Sequence, residues 1–237
     1  MELNSFIQQF QHNQNISYQS NGIAQGYLQL KPLDYYLPRG INRKACIHIA
    51  GSEEVGKTSL GLEFAYRNPE YIFIYIDTYF KLQEKDIPDN VYLFRSNNVA
   101  EISAYLNTLE SKSADFIMID AISNLLLPAE QGSHTQYINN RYVHLNIELT
   151  KVIEKCCNLN ICLILFNTLN ANGSPFNYST QLKYRCSLDL EILSKEKQDN
   201  DSYIIEMDAK KWLTRTIEDS SHKTILLTGQ GDDVNAV

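Results

Sequence analysis

The sequence predicts an α/β fold with a mostly parallel central sheet, flanked by helices and extended by antiparallel strands toward the C-terminus. Short strand-like runs alternate with helical patterns from residue 45 onward, an order typical of parallel sheets. Several of these runs are continuously apolar, as expected of strands that are covered on both faces. From residue 186 strand-like runs follow one another without helices between them, which indicates an antiparallel extension. At 237 residues the chain is long enough to bury one sizeable core.

Each element is predicted from its own pattern. The strands of the parallel part are predicted at 45–50, 71–77, 91–95, 114–120 and 160–167. Helices are predicted between them at 57–66, 100–110 and 142–157. In the last two helices, apolar residues spaced three and four apart share one face: Ile102, Leu106 and Leu109, then Leu145, Leu149, Val152, Ile153 and Cys156.

The remaining segments are predicted as antiparallel strands and loops. The strands are expected at 186–192, 202–208 and 223–229, joined by polar turns such as the one at 195–201. Two long loops are expected at roughly 127–140 and 168–182. Loops of that length in a compact domain are usually functional or disordered.

Composition narrows the classes of protein that fit this chain. The net charge of −7 gives no global attraction to nucleic acid, so DNA contact would need a local basic or aromatic patch. No apolar run reaches the about 20 residues that span a bilayer, and the N-terminus lacks a secretion pattern. We therefore expect a cytoplasmic protein without a membrane span. The cysteines match no zinc spacing and are expected as reduced thiols: Cys46, Cys156, Cys157, Cys162 and Cys186.

The segment GSEEVGKTS has the spacing of a phosphate-binding loop, a glycine, four residues and then Gly-Lys-Thr. It follows a predicted strand and opens a predicted helix, the context in which backbone N–H groups and the helix dipole meet a phosphate. Lys57 is expected to neutralise phosphates and Thr58 to reach Mg²⁺. The predicted nucleotide-binding residues are Gly51, Ser52, Glu53, Glu54, Val55, Gly56, Lys57, Thr58 and Ser59.

A second motif, the run ADFIMIDA, ends a buried strand at Asp120. A carboxylate in that place suits a Mg²⁺ ligand acting with Thr58. The alternative is an aspartate that caps a turn at the end of a strand. The two motifs together predict nucleotide and magnesium binding.

Three stretches, in order, resemble the ATPase core of the RecA recombinase family: 37–60, 90–128 and 160–168. The resemblance implies a RecA-like P-loop NTPase core at 31–237, with ATP and Mg²⁺ held between neighbouring subunits. It also implies that residues 1–30 form an N-terminal arm for oligomerisation, the alternative being a helix packed on its own core. The chain stops near the end of that core, so the family's C-terminal domain is expected to be missing. Filament, ring and dimer all remain open.

The resemblance carries further roles to this chain by position. Lys210 and Lys211 lie about where the family's lysines reach the adjacent subunit's phosphates, the alternative being a solvated basic pair. Asn167 and Thr168 lie at the γ-phosphate sensor, where threonine replaces the family's glutamine. The loops after Leu127 and Thr168 would face single-stranded DNA, the alternative being two ordinary surface loops. The DNA-binding candidates in and beside them are His134, Tyr137, Arg141, Gly173, Phe176, Tyr178, Lys183 and Arg185.

One departure from the family concerns catalysis. Tyr79 stands where the family places its water-activating glutamate, two residues beyond Asp77. A phenol with an ordinary pKa of about 10 is a poor general base at neutral pH. We therefore expect weak hydrolysis, with Glu84 or Asp86 as replacement bases in the alternative case.

The function predicted from these features is a RecA-like protein that binds ATP, oligomerises and holds single-stranded DNA for recombination, repair, strand pairing or annealing. Because Tyr79 stands in the place of the family's glutamate, the sequence does not decide whether the protein is a DNA-dependent ATPase. The alternative is a catalytically weak paralogue that acts as a nucleotide-dependent scaffold or regulator without strand exchange. A hexameric helicase or a clock-type ATPase with the same core is a weaker third interpretation.

Overall fold

The computed structural model describes residues 27–34, 36–37, 39–125, 134–176, 178–198, 202–212 and 215–227. Side chains are described through residue 125, from 143 and up to 210 within these ranges. The predicted N-terminal arm therefore lies mostly outside the described residues. Of its last residues, Leu28 and Leu30 are buried in the core.

The strands are β1 (Tyr27–Leu28), β2 (Ile41–Asn42), β3 (Cys46–Gly51), β4 (Phe73–Asp77), β5 (Val91–Arg95), β6 (Phe116–Asp120), β7 (Cys162–Thr168), β8 (Leu188–Lys197), β9 (Tyr203–Trp212) and β10 (Arg215–Leu227). The helices are α1 (Lys57–Arg67), α2 (Val99–Asn107), α3 (His134–Leu159) and α4 (Thr180–Arg185). Short 3-10 turns occupy Glu84–Asp86 and Ile122–Asn124.

The central sheet has eight strands in the order β10-β9-β8-β3-β7-β6-β4-β5. The strands from β3 to β8 are parallel to their neighbours within that set. The strands β9 and β10 are antiparallel additions at one side. This confirms the predicted α/β class, the mostly parallel sheet and an antiparallel extension of β9 and β10. The strand predicted at 186–192 as the first of that extension was wrong in one respect, because β8 pairs in parallel with β3 and is antiparallel only to β9. Strands β1 and β2 form a separate antiparallel pair.

Both faces of the sheet are covered, which explains the continuously apolar strands. Along β4, Phe73 and Tyr75 face one core cluster, while Ile74 and Ile76 face the other. The first cluster contains residues of α1 and the second contains residues of α2 and α3. The predicted apolar face of α3 is buried as expected. In α2, Ile102 and Leu106 are buried as predicted. Leu109 was wrongly placed in this helix, which ends at Asn107, but it packs against the same cluster.

Several predicted boundaries were wrong, among them the start of β10, which lies at Arg215 and not at residue 223, and the end of β9, which lies at Trp212 and not at residue 208. Helix α3 begins at His134, so residues 134–140 are helical and do not belong to a long loop. The segment expected as a loop at 168–182 contains a turn closed by a Leu169–Pro175 bridge and then helix α4. Strand β8 continues to Lys197, through the first part of the turn expected at 195–201. In each case backbone hydrogen bonds of the folded chain form a helix, a strand or a closed turn where polar residues had suggested a loop.

Among the described residues, no helix is long and apolar enough to cross a membrane. This agrees with the absence of a long apolar run in the sequence.

Candidate nucleotide-binding site

The candidate loop lies between Gly51, the last residue of β3, and Lys57, the first of α1. The loop curls tightly, because a Cβ added at Gly51 would lie 2.6 Å from Val55 Cγ1. Gly56, the residue before α1, has φ 101, a left-handed conformation that favours glycine. No side chain caps the N-terminus of α1, and its first turn contains no acidic residue. The N–H groups and dipole at this helix end are therefore suited to an anion.

The side chain of Lys57 folds back over this loop. Its ammonium donates hydrogen bonds to the carbonyl oxygens of Gly51 at 2.9 Å and Ser52 at 2.5 Å. Burial lowers the pKa of Lys57, while the charges of Asp120 and Glu53 oppose that effect. A buried ammonium held mainly by carbonyl dipoles is incompletely compensated, so an anionic ligand would improve its environment.

Strand β6 brings Asp120 to the base of the same loop. Its Oδ2 accepts hydrogen bonds from Thr58 Oγ1 at 2.5 Å and from the Tyr75 hydroxyl at 2.7 Å. Burial raises the pKa of Asp120, and the hydrogen bonds from Thr58 and Tyr75 partly lower it again. The peptide bond between Asp120 and Ala121 is cis. The structure thus joins the two sequence motifs through one contact between Thr58 and Asp120.

A set of hydroxyl groups lies beyond this contact, at the carboxyl ends of β4, β6 and β7. The Tyr79 hydroxyl is 3.3 Å from Ser123 Oγ, and Ser123 Oγ donates to Thr168 Oγ1 at 3.1 Å. The backbone at Tyr79 is fixed because its N–H donates to Asp77 Oδ1. Tyr79 and Thr168, both predicted site residues, are therefore linked by Ser123. Sequence reasoning missed Ser123, since a lone serine in a short turn carries no recognisable pattern.

The two replacement bases lie at a different place. The Glu84 carboxylate is 3.9 Å from Arg95 at the end of edge strand β5, and the Asp86 carbonyl accepts from the Tyr66 hydroxyl. Both residues belong to the same exposed 3-10 turn. Glu84 and Asp86 therefore lie beside β5, the outer strand of the sheet.

The sensor-like residue Asn167 is completely buried at the end of β7. Its amide nitrogen donates to the Phe176 carbonyl at 2.7 Å and lies 3.2 Å from His48 Nε2. His48 Nδ1 is in turn 2.7 Å from Asp189 Oδ1. Asn167 thereby connects the strand that precedes the glycine loop to the segment that follows β7. His48 was not predicted as a site residue, because it lies within an apolar run and belongs to no recognisable motif.

The candidate DNA-binding side chains differ in their exposure and in the contacts that they make within the protein. The Tyr178 ring stacks on His48 with a centroid distance of 3.7 Å, so one of its faces is used inside the protein. Arg185 pairs with Glu154 at 2.9 Å. Phe176 is 44% exposed, and a Cβ at Gly173 would meet open space. Lys183 lies on α4 with Arg185. The side chains of His134, Tyr137 and Arg141 lie outside the described residues.

Of the two lysines predicted to act on a neighbouring subunit, one has a described side chain. Lys210 Nζ lies 3.3 Å from Glu191 and 3.6 Å from Asp208, both on its own sheet. Lys211 pairs in register with Asp189 of β8, and its side chain lies outside the described residues. In the isolated chain Lys210 is therefore neutralised by acidic neighbours.

No family model matches this chain, and a search of curated proteins found no match. The interpretation of the site therefore depends on the contacts described above.

Proposed function

We propose that this chain is a RecA-like P-loop protein that binds ATP together with Mg²⁺ at the loop between β3 and α1. The observation that carries the proposal is the contact of the Thr58 hydroxyl with the Asp120 carboxylate beneath that loop. A chance match to the loop spacing would not require a buried carboxylate from another strand to meet that threonine. The curled loop, the uncapped helix end and the buried Lys57 support the same assignment.

The oxygen atoms at this contact fit a magnesium ion. Thr58 and Asp120 offer a hydroxyl and a carboxylate, the ligand types that hard divalent cations take. Bound there, Mg²⁺ would supply charge that neutralises phosphate oxygens. Lys57 would contact phosphate with its ammonium after leaving the carbonyls of Gly51 and Ser52, and Tyr75 would hold the Asp120 carboxylate in place.

Slow hydrolysis is part of the proposal. A water beside the triphosphate needs a base of suitable pKa within hydrogen-bond reach. The groups described beyond Asp120 are the hydroxyls of Tyr79, Ser123 and Thr168 and the Asp77 carboxylate, whose two oxygens accept hydrogen bonds from the backbone N–H groups of Tyr79 and Leu82. The hydroxyls can orient a water molecule but do not readily remove its proton, and the hydrogen bonds that Asp77 accepts disfavour its use as a general base. ATP is therefore expected to stay bound long enough to act as a ligand that controls conformation.

We further propose that the nucleotide-bound chain oligomerises and binds single-stranded DNA through the segment after β7. The support is the contact of Asn167 with the Phe176 carbonyl, which joins an exposed aromatic residue to the end of the strand beside the site. Bases stack on exposed aromatic rings without strong sequence preference.

The second candidate function is a nucleotide-dependent scaffold without DNA-processing activity. Two observations favour it: the internal stacking of Tyr178 on His48 and the pairing of Arg185 with Glu154. Both reduce the aromatic and cationic surface that is free for DNA. The hydroxyl groups around Ser123 suit either function.

The nucleotide proposal is tested by calorimetric titration of Mg·ATP into the wild type and two lysine variants. We expect Lys57→Ala to lower the affinity by on the order of 100-fold or more, because a charged partner is lost from a desolvated site. Lys151→Ala, at an exposed lysine paired with Glu148 on α3, serves as the control and should leave the affinity unchanged. Equal affinities for all three proteins would refute the assignment of the loop.

A further inference from the structure

The hairpin of β8 and β9 extends beyond the end of the strand that leads into the glycine loop. Gly51, the last residue of β3, pairs in parallel with Ile192 of β8. Strand β8 then continues through Leu193–Lys197, and β9 returns beside it with Ile205 opposite Lys195. Because β3 and β8 run in the same direction, this extension lies on the side of the sheet where the glycine loop begins.

The hairpin contacts the loop at one of its glycines. A Cβ added at Gly56 would lie 3.0 Å from Ile205 Cδ1 and 3.1 Å from Lys195 Cδ. The apolar stem of Lys195 therefore packs on the backbone of Gly56, the residue immediately before Lys57. The ammonium of Lys195 is only two bonds beyond the atom that makes this contact.

The ammonium of Lys195 is not committed to a carboxylate within the described part of the chain. Its contact is the face of the Tyr203 ring, with Nζ 3.9 Å from the centroid. Burial lowers the pKa of Lys195 from its ordinary value. An attraction between a cation and an aromatic ring is modest at a partly exposed site and much weaker than a charged hydrogen bond to phosphate.

We propose that Lys195 is a second phosphate-binding cation of this site, supplied by the same chain that supplies the glycine loop. In the nucleotide-free protein the Tyr203 ring holds its ammonium beside the loop. When a nucleoside triphosphate binds, the ammonium turns from the ring to a phosphate oxygen while its stem stays on Gly56. The inference rests on the proposed function, and it adds a residue that the P-loop pattern does not include.

Charge balance favours this arrangement. A triphosphate carries several negative charges, and the loop itself contains Glu53 and Glu54, whereas Mg²⁺ and Lys57 would together supply only three positive charges. A further cation next to Gly56 reduces that mismatch. Because Lys195 comes from the same chain, this contact needs no neighbouring subunit.

The test uses Lys195→Met, which keeps the length and apolar character of the stem and removes the charge. Binding of Mg·ATP and of Mg·tripolyphosphate is measured by calorimetry for this variant, the wild type and Lys57→Ala. We expect Lys195→Met to lower both affinities by about tenfold, because a charge-assisted hydrogen bond to phosphate is lost. Lys151→Met makes the same charge change on α3 and should have no effect.

The outcomes separate the inference from the proposed function. If Lys57→Ala abolishes binding while Lys195→Met binds both ligands like the wild type, the role of Lys195 is disproved and the nucleotide site stands. A loss for Mg·ATP without a loss for tripolyphosphate would also disprove it, since the contact would then involve the nucleoside. Wild-type protein that binds neither ligand would refute both. Thermal unfolding of each variant, measured without ligand, shows that the fold is retained.

Discussion

Two neighbouring regions at the carboxyl edge of the sheet differ in their chemistry. Around the glycine loop, charged side chains are buried together, with Lys57 over the loop and Asp120 against Thr58. Around Ser123, hydroxyl groups contact one another, and Tyr79 is 37% exposed. Burying charge costs free energy that a protein recovers when a ligand compensates it. The first region is therefore suited to binding a charged ligand. In the second, the Asp77 carboxylate is already occupied by the backbone N–H groups of Tyr79 and Leu82, which disfavours its use as a general base for fast hydrolysis.

Among the variants that test this difference between the two regions, Asp120→Asn is expected to have the largest effect. It removes the charge of the buried carboxylate and keeps the shape of the side chain. Because a magnesium ligand is lost, we expect the Mg²⁺-dependent part of ATP affinity to fall by on the order of 100-fold. The affinity for ATP is measured by titration of ATP in the presence of Mg²⁺ and again in the presence of EDTA. The same loss in EDTA would show that Asp120 acts through the fold and not through the metal.

The same variant has a predictable effect on stability. Burial raises the folded-state pKa of Asp120 above its unfolded value, so the contribution of this group is favourable below the unfolded pKa and is lost as pH rises through the folded pKa. We therefore expect Asp120→Asn to be at least as stable as the wild type at neutral pH, with the advantage shrinking toward pH 4. Urea unfolding without nucleotide at both pH values measures it. A clear loss at neutral pH would contradict the sign of this argument.

The next effect concerns the region around Ser123, where the hydroxyl groups of Tyr79, Ser123 and Thr168 lie. We expect Tyr79→Glu to raise the rate of ATP hydrolysis at least about tenfold, because a carboxylate in this place can act as a general base. Tyr79→Gln is the matched control, since it has similar size to glutamate and cannot take a proton. Steady-state phosphate release measures all three proteins. A fast wild-type rate would show that another group already provides the base.

The smallest effect is expected for the affinity of the protein for single-stranded DNA. Replacing Phe176 and Arg185 together by alanine should weaken binding of a labelled oligonucleotide about tenfold in the presence of ATP, because one stacking contact and one cation are removed. Phe80→Ala changes another exposed aromatic residue and is the control. Absence of wild-type binding at low salt, with ATP or a slowly hydrolysed analogue, would favour the scaffold function.

Much of the fold could be predicted because its signals are local. The apolar runs around Ile74 and Ile117 are strands with both faces buried, and a continuous apolar pattern has few other solutions. The start of α1 at Lys57 was predicted for the same reason, since the glycine spacing and the helical pattern are adjacent. The start of α3 at His134 was not, because its first residues are polar and carry no apolar stripe.

The candidate site likewise has some features that the sequence predicts and others that it does not. The sequence alone determined that a glycine loop follows a strand and that Asp120 ends another, since both motifs are contiguous. Only the tertiary structure decided that Asp120 meets Thr58, that Ser123 links Tyr79 to Thr168 and that Lys195 packs on Gly56. These contacts join residues far apart in the chain, and they arise from strand order and register. Neither strand order nor register is encoded in a local pattern, because each depends on which strands become neighbours when the chain folds.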